Sequence, residues 1–218
     1  MIINFNDIKI KTSPMVYTPG EDTFFVEDVL KKELTKNIQP VNVNNILEVG
    51  CGSGYLLIVL VKLCPKSKFV AIDINTHALQ ITLENINLNG LDQKSIELIH
   101  SDLFTKVKSK LFDIIIFNPP YLPTENKFAE LNDNNIVNLA WEGGDKIIKA
   151  FLLSVENFLS RDGKIIILLS NYQVKNDRPE DYIKQANKNL MVKASYKKIL
   201  FLETLYIVIL MKNNQTIE

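Results

Sequence analysis

The sequence predicts an α/β fold: a doubly wound, mostly parallel seven-stranded sheet with an antiparallel terminal strand. Three observations carry this. Seven short runs rich in Ile, Val, Leu and Phe recur along the chain, and several are apolar throughout rather than alternating, as strands covered on both faces are. Stretches of helical periodicity separate most of them, which calls for parallel pairing through right-handed crossovers. The last two runs have only a residue or so between them, too little for a crossover, so they pair antiparallel.

In order, "NILEVG" (45–50) is a strand stopped by glycine, and residues 55–63 form a helix that ends before Pro65. "KFVAID" (68–73) is the second strand. The helix "THALQITLENINLNG" (76–90) places Ala78, Leu79, Leu83 and Ile86 near one face, with Gly90 past its end. "IELIHSD" (96–102) and "FDIIIFN" (112–118) are the third and fourth strands. A helix over about 145–159, the apolar strand "GKIIILLS" (163–170) and a polar helix over about 179–190 follow. The runs 194–201 and 203–212 close the sheet, and the polar stretch 124–138 reads as a long loop.

Lys+Arg and Asp+Glu number 25 each, so the formal net charge is zero and no global field draws the chain to nucleic acid or anionic membrane. Two cysteines, Cys51 and Cys64, make neither a disulfide framework nor a metal pattern and suit a reducing interior. The longest apolar runs are too short to cross a bilayer and the first residues lack a signal-peptide pattern, so a cytoplasmic protein is expected, with no metal site.

Chemistry concentrates at the carboxyl ends of the strands, where open α/β sheets bind ligands. "EVGCGSG" sets Gly50, Gly52 and Gly54 between the first strand and its helix. The dinucleotide fingerprint needs a further glycine where Tyr55 stands, and no Lys-Ser/Thr pair follows as in a phosphate loop, so neither NAD nor a nucleoside triphosphate is indicated. A G-x-G-x-G loop lets a cofactor lie close over the backbone. Asp73 ends the second strand, where its carboxylate suits the two hydroxyls of a ribose, and Asp102 follows the third, within reach of an adenine amino group. Capping would explain each aspartate singly; three successive strand ends bearing such groups point to a ligand.

The fourth strand runs into "FNPPYLP". Two prolines cannot donate to a sheet, so the strand stops. Asn118 offers a side-chain carbonyl, the Pro119 peptide carbonyl is a second acceptor, and Pro119 and Pro120 stiffen the loop that holds them. Two fixed acceptors suit a planar NH2 group, on which the Tyr121 ring could stack.

In that order and spacing, "EVGCGSG", "AIDIN" and "NPPY" resemble the S-adenosylmethionine-dependent class I methyltransferases, of Rossmann-like fold, that carry an Asn-Pro-Pro-Tyr motif. Within them the chain is similar to the HemK-type release factor glutamine methyltransferases over about residues 15–212. The segment "VYTPGEDTFFVEDVL" and the stretch "AWEGGDKI" resemble the eukaryotic and archaeal form rather than bacterial members, which carry a separate helical domain. The resemblance implies N5-methylation of the glutamine in a release factor's Gly-Gly-Gln tripeptide, with S-adenosyl-L-homocysteine as the other product. It implies cofactor contacts from Tyr17, Glu21, Thr23, Glu48, Gly50, Gly52, Gly54, Asp73, Ile74, Asp102, Leu103 and Asn118, and substrate contacts from Asn118, Pro119, Pro120 and Tyr121. A small zinc-binding activator protein is the implied partner. Residues 1–40 would then be a lead-in segment and helix packing on a methyltransferase domain of 41–218, one compact domain overall.

Simpler readings stand beside these. Thr18, Pro19 and Glu21 make a capping box, and Val26, Val29, Leu30 and Leu34 lie near one helix face, so helix initiation also explains that segment. Trp141 fits a core aromatic, Gly143 with Gly144 a linker, Cys51 a small filler, and His77 and His100 structural positions. A nucleic-acid amino methyltransferase acting on adenine N6 or guanine N2 shares the planar NH2 chemistry, although neutral charge and the lack of an appended binding module speak against it. A non-catalytic cofactor-binding scaffold would be expected to show a degraded Asn-Pro-Pro-Tyr, and here it is intact.

Overall fold

The computed structural model describes residues 1–38, 42–108, 110–121 and 144–213. It divides into two compact units, Met1–Lys108 and Ser109–Glu218. The stretches 124–138 and 140–143, with Trp141 and Gly143, lie outside the described residues.

The first unit opens with an antiparallel hairpin absent from the sequence reading, β1 (Ile2–Phe5) and β2 (Ile8–Lys11), turned at Asn6, which takes φ of 54°. Alternating residues around Asn-Asp were its signal. Helix α1 (Glu21–Lys36) follows, then β3 (Asn45–Val49), α2 (Tyr55–Leu63), β4 (Lys68–Asp73), α3 (Thr76–Leu88) and β5 (Ile96–His100). Strands β3, β4 and β5 pair in parallel in the order β5-β4-β3, so their carboxyl ends share one side. Helix α2 is buried from Tyr55 to Val61, as a helix between a sheet and further layers must be.

Two local expectations change. The N-cap of α1 is Gly20 and not Thr18; the Gly20 N–H donates to Thr23 Oγ1 at 3.4 Å, and Thr18 is exposed before the helix starts. On α3 the buried stripe is Ala78, Ile81, Thr82, Asn85 and Ile86, while Leu83 points outward at 40% exposure. Ranking by hydrophobicity misplaced that face because two of its members are polar. They are buried because they are bonded. Asn85 and Asn89, one turn apart, give the unpaired edge of β2 a substitute strand partner: Lys9 N–H donates to Asn89 Oδ1 at 3.0 Å and Lys11 N–H to Asn85 Oδ1 at 2.7 Å, and both amides donate back to the same residues' carbonyls.

The second unit holds β6 (Phe112–Phe117), α4 (Gly144–Ser154), β7 (Leu159–Ser170), α5 (Pro179–Ala186), β8 (Leu190–Ile199) and β9 (Thr204–Lys212). Its strand order is β6-β7-β9-β8; β6 and β7 are parallel, and β9 runs antiparallel to both β7 and β8. The last strand in the chain is therefore the antiparallel one, inserted between its neighbours, and every residue from Leu205 to Leu210 is buried. Strand β7 begins at Leu159, earlier than the apolar run suggested, because the polar segment before Gly163 is accommodated in a register shift opposite Phe112–Ile114. With β3, β4 and β5 of the first unit and β6 to β9 of the second, the hairpin β1–β2 standing apart, the fold is the seven-stranded, mostly parallel α/β class.

Candidate active site

In the first unit the three loop glycines all need left-handed backbone: Gly50, Gly52 and Gly54 have φ of 67°, 54° and 77°. They do different jobs. A Cβ on Gly54 would meet Thr82 Cγ2 at 2.8 Å, so this glycine permits close packing of the loop on α3. A Cβ on Gly52 would meet nothing within 4 Å, so there the missing side chain leaves open space above the backbone.

The peptide of that open glycine is held on both sides. Asp73 Oδ2 accepts the Gly52 N–H at 2.9 Å, and Thr82 Oγ1 donates to the Gly52 carbonyl at 3.0 Å. Asn85 Nδ2 donates to the next carbonyl, Ser53, at 2.9 Å. The other Asp73 oxygen accepts the Asn75 N–H at 2.8 Å, so this carboxylate first organises its own rim, with lone pairs left over for a further donor. Burial lifts its pKa above the ordinary carboxylate range, while the Asn75 and Gly52 amides pull it back.

Glu48, one strand over from Asp73, is buried; desolvation, with the Asp73 charge nearby, pushes its pKa well above the ordinary range. It accepts the Leu57 backbone N–H, an orphan donor of the first turn of α2 that the glycine N-cap cannot serve. Its Oε2 is buried with no hydrogen-bond partner among the described residues. Cys51, in the same loop, is a buried thiol whose pKa desolvation raises well above normal, which makes it a filler and no nucleophile.

Next to Asp73, Ile74 is 48% exposed, an apolar face at the end of β4, and the His100 ring lies 3.0 Å from its carbonyl through Nε2. Asp102 is exposed and Leu103 is half-buried with φ of 43°. In the lead-in segment Tyr17 donates to Asp22 Oδ1 at 2.7 Å and Thr23 Oγ1 to the same atom at 3.3 Å, so buried Asp22, unflagged by sequence, ties that segment to α1; Glu21 is exposed.

In the second unit Asn118 and Tyr121 are half-buried and Pro119 is buried. The backbone after Pro119 is pinned twice: the Gly144 N–H donates to the Pro120 carbonyl at 2.9 Å, and Gln173 Nε2 donates to the Tyr121 carbonyl at 3.1 Å. Tyr121 also reaches Glu203 Oε1 with its hydroxyl at 3.4 Å. Gln173 escaped the sequence reading; its signal was an amide, one of two with Asn171, just beyond the carboxyl end of an apolar strand.

Residues 8–200 match the family model of the methyltransferase small domain. The chain belongs to that family, in its HemK-type branch. It is 37% identical over 174 residues to a Methanocaldococcus jannaschii protein named as a protein N5-glutamine methyltransferase, covering 78% of this chain and 80% of that one. It is 30% identical over 177 residues to the fission yeast eRF1 methyltransferase catalytic subunit mtq2, covering 72% and 74%. A mouse relative, the methyltransferase HEMK2, is 31% identical over 175 residues, covering 78% and 76%. Among solved structures, a ribosomal protein L11 methylase from Lactobacillus delbrueckii subsp. bulgaricus superposes with a TM-score of 0.64 at 17% identity, covering 98% of this chain and 99% of that one. A methyltransferase from Pyrococcus furiosus gives 0.61 at 15% identity, covering 95% and 91%. Those two establish the Rossmann-like methyltransferase fold. No helix among the described residues is long and apolar enough to cross a membrane, and those residues include no cluster of three or more His, Cys, Asp or Glu able to hold a metal ion.

Proposed function

We propose that this methyltransferase N5-methylates the glutamine side chain in the Gly-Gly-Gln motif of a translation release factor, using S-adenosylmethionine. The observation that carries the reading is the intact Asn118–Tyr121 motif, pinned through its Pro120 and Tyr121 carbonyls, in a chain 37% identical to a protein named as an N5-glutamine methyltransferase.

The first unit fits the cofactor on three counts: open space over Gly52, a buried Glu48 oxygen without a partner, and the exposed apolar face of Ile74 beside Asp73. Gly50, Gly52 and Gly54 would pass under it, Asp73 would take ribose hydroxyls, and Ile74, Asp102 and Leu103 would bound the base. Tyr17, Glu21, Thr23, Glu48 and Asn118 would complete the set. When bound, S-adenosylmethionine supplies a methyl carbon activated by its sulfonium. The chain's task is to make an unreactive amide nitrogen accept it. An amide lone pair is delocalised into its carbonyl. Acceptors at Asn118 Oδ1 and the Pro119 carbonyl hold the NH2 group in one orientation, and they bind its hydrogens more strongly as positive charge grows on nitrogen, which lowers the barrier rather than merely binding the substrate. Packing of the Tyr121 ring on the amide plane restricts rotation and excludes water.

The substrate places the reaction in the cytoplasm. A small zinc-binding activator as heterodimer partner is also part of this reading; the yeast relative's name, a catalytic subunit, supports a further subunit and no more. The test is labelled S-adenosylmethionine with release factor, its Gln→Asn variant and nucleic acid, each with and without the activator. Label confined to the Gly-Gly-Gln protein and absent from the Gln→Asn variant is expected. Label in nucleic acid adenine or guanine, and none in the release factor, would replace the glutamine reading with the nucleobase one.

A further inference from the structure

We propose that Gln173 is the positioning residue of the Asn-Pro-Pro-Tyr motif: its side-chain amide, locked to the end of β7, sets where Asn118 and Pro119 present their acceptors. The proposal rests on the reading above that this motif orients the target NH2 group.

Parallel pairing of β6 and β7, with Phe117 opposite Ile167, puts the carboxyl ends of both strands on the same side. Asn118 follows one and the turn Ser170–Gln173 follows the other. A proline pair can stiffen a loop but cannot anchor it, having no N–H to donate and no polar side chain. The anchor comes from across the strand ends. Gln173 is 6% exposed. Its Oε1 accepts two hydrogen bonds from Ser170, from the backbone N–H at 3.1 Å and from the hydroxyl at 2.9 Å. Two donors facing one oxygen leave a single sensible orientation for the amide, with the nitrogen toward the Tyr121 carbonyl, 3.1 Å away. Ser170 is itself fully buried and ladder-paired with Leu205 of β9, and its hydroxyl also accepts the Tyr172 N–H at 3.2 Å. The chain of support therefore runs from the interior of the sheet through Ser170 and Gln173 to the motif. Each link has a defined donor and acceptor. Shortening or redirecting the Gln173 amide would let the Tyr121 carbonyl, and the backbone just before it, move by a fraction of an ångström or more, which is the scale that matters for alignment in group transfer.

The distinguishing experiment uses the two variants Gln173→Leu and Gln173→Glu in the full-length protein, with kcat and KM for the acceptor measured at saturating S-adenosylmethionine from about pH 6 to about pH 9. Glutamate keeps the shape and the two Ser170 bonds but turns the donor toward Tyr121 into an oxygen. Ionised, that oxygen repels the carbonyl; protonated, it donates to it again. Among the described residues, charged side chains bonded near this turn include Glu203, which accepts from Tyr121, and Lys175, whose ammonium reaches the Asn171 carbonyl at 3.2 Å. The expected result for Gln173→Glu is a kcat about 100-fold below wild type at the alkaline end, recovering by about tenfold or more toward pH 6, with cofactor affinity unchanged. Gln173→Leu should lose about tenfold in kcat with a pH profile parallel to wild type. Thermal melts at each pH confirm folding, and the isosteric glutamate variant keeps the proposal testable should the leucine variant unfold. A Gln173→Glu profile parallel to wild type, or kcat within twofold of wild type for both variants, would overturn the positioning role. Failure of the glutamine reading looks different, because the wild type itself then transfers nothing to release factor, and the ratio of variant to wild type is read on the acceptor it does methylate.

Discussion

Asn85→Ala removes the side chain that fastens both the β1–β2 hairpin and the glycine loop to α3. Asn85 is 0% exposed and makes three bonds to backbone: it accepts the Lys11 N–H at 2.7 Å and donates to the Ser53 carbonyl at 2.9 Å and the Lys11 carbonyl at 3.1 Å. At about 1 kcal/mol net per bond the loss is about 3 kcal/mol. Alanine returns about 0.5 kcal/mol through its higher helix propensity, leaving about 2.5 kcal/mol of destabilisation. For a chain of 218 residues that is a fall of about 5 to 10 °C in Tm. Differential scanning calorimetry measures the fall, and titration calorimetry with S-adenosylmethionine measures a weaker Kd, since the Ser53 carbonyl beside Gly52 is no longer held. A Tm shift under about 2 °C with unchanged cofactor affinity would refute the reasoning, for it would mean that water replaces the amide at no cost.

The second and third loop glycines should separate fold from binding: Gly52→Ala bears only the left-handed strain of about 1 kcal/mol but loses cofactor affinity, whereas Gly54→Ala, with Thr82 Cγ2 at 2.8 Å, destabilises by about 3 kcal/mol, as melting and calorimetry on each will report. Asn118→Ala should lower kcat by about 100-fold or more at saturating S-adenosylmethionine, while Tyr121→Phe, giving up the 3.4 Å bond to Glu203, should stay within about threefold; steady-state kinetics on both decides whether the ring or the hydroxyl matters. Glu48 keeps its proton in the folded state after the unfolded chain has released it at about pH 4.3, so stability falls as pH rises from there through the raised folded value. Glu48→Gln retains an acceptor for the Leu57 N–H and deletes that loss; its stability relative to wild type should grow with pH across the window, and denaturant midpoints that differ by a pH-independent amount would contradict it.

Much of this architecture was legible because strand cores and special loops announce themselves. Continuous apolar runs such as "FDIIIF", glycines at alternate positions and paired prolines each allow few conformations, and the motif order carried the family. The hairpin at residues 2–11 went unread because each of its strands is four residues long, so the alternation around Asn-Asp spans too few residues to rise above a loop. Thr82, Asn85 and Gln173 went unread for another reason. A polar side chain in a helix or turn reads as solvent-facing unless something identifies the backbone group that it will satisfy, and that group lies 30 or more residues away for Thr82 to Gly52, Asn85 to Ser53 and Gln173 to Tyr121.

These three share a physical necessity. Both chemical loops turn on residues with no polar side chain of their own, glycines where a ligand would approach the backbone and prolines where the acceptors must not swing. Those residues cannot fasten the loop carbonyls from within. In the first unit the carbonyls of Gly52 and Ser53 are taken by Thr82 and Asn85 of the helix behind them; in the second, the carbonyl of Tyr121 is taken by Gln173 of the turn after β7. In every case the brace is a short side chain, 6% exposed or less, whose remaining polar groups are themselves bonded or buried in the loop, so the rigidity is inherited from the sheet and helices rather than generated at the loop. It follows that removing a brace in one unit should leave the other unit's property intact: Asn85→Ala should weaken cofactor binding while the pH signature of Gln173→Glu persists in the double variant, and additive effects on kcat/KM, within about 0.5 kcal/mol, are the expected outcome of that cycle.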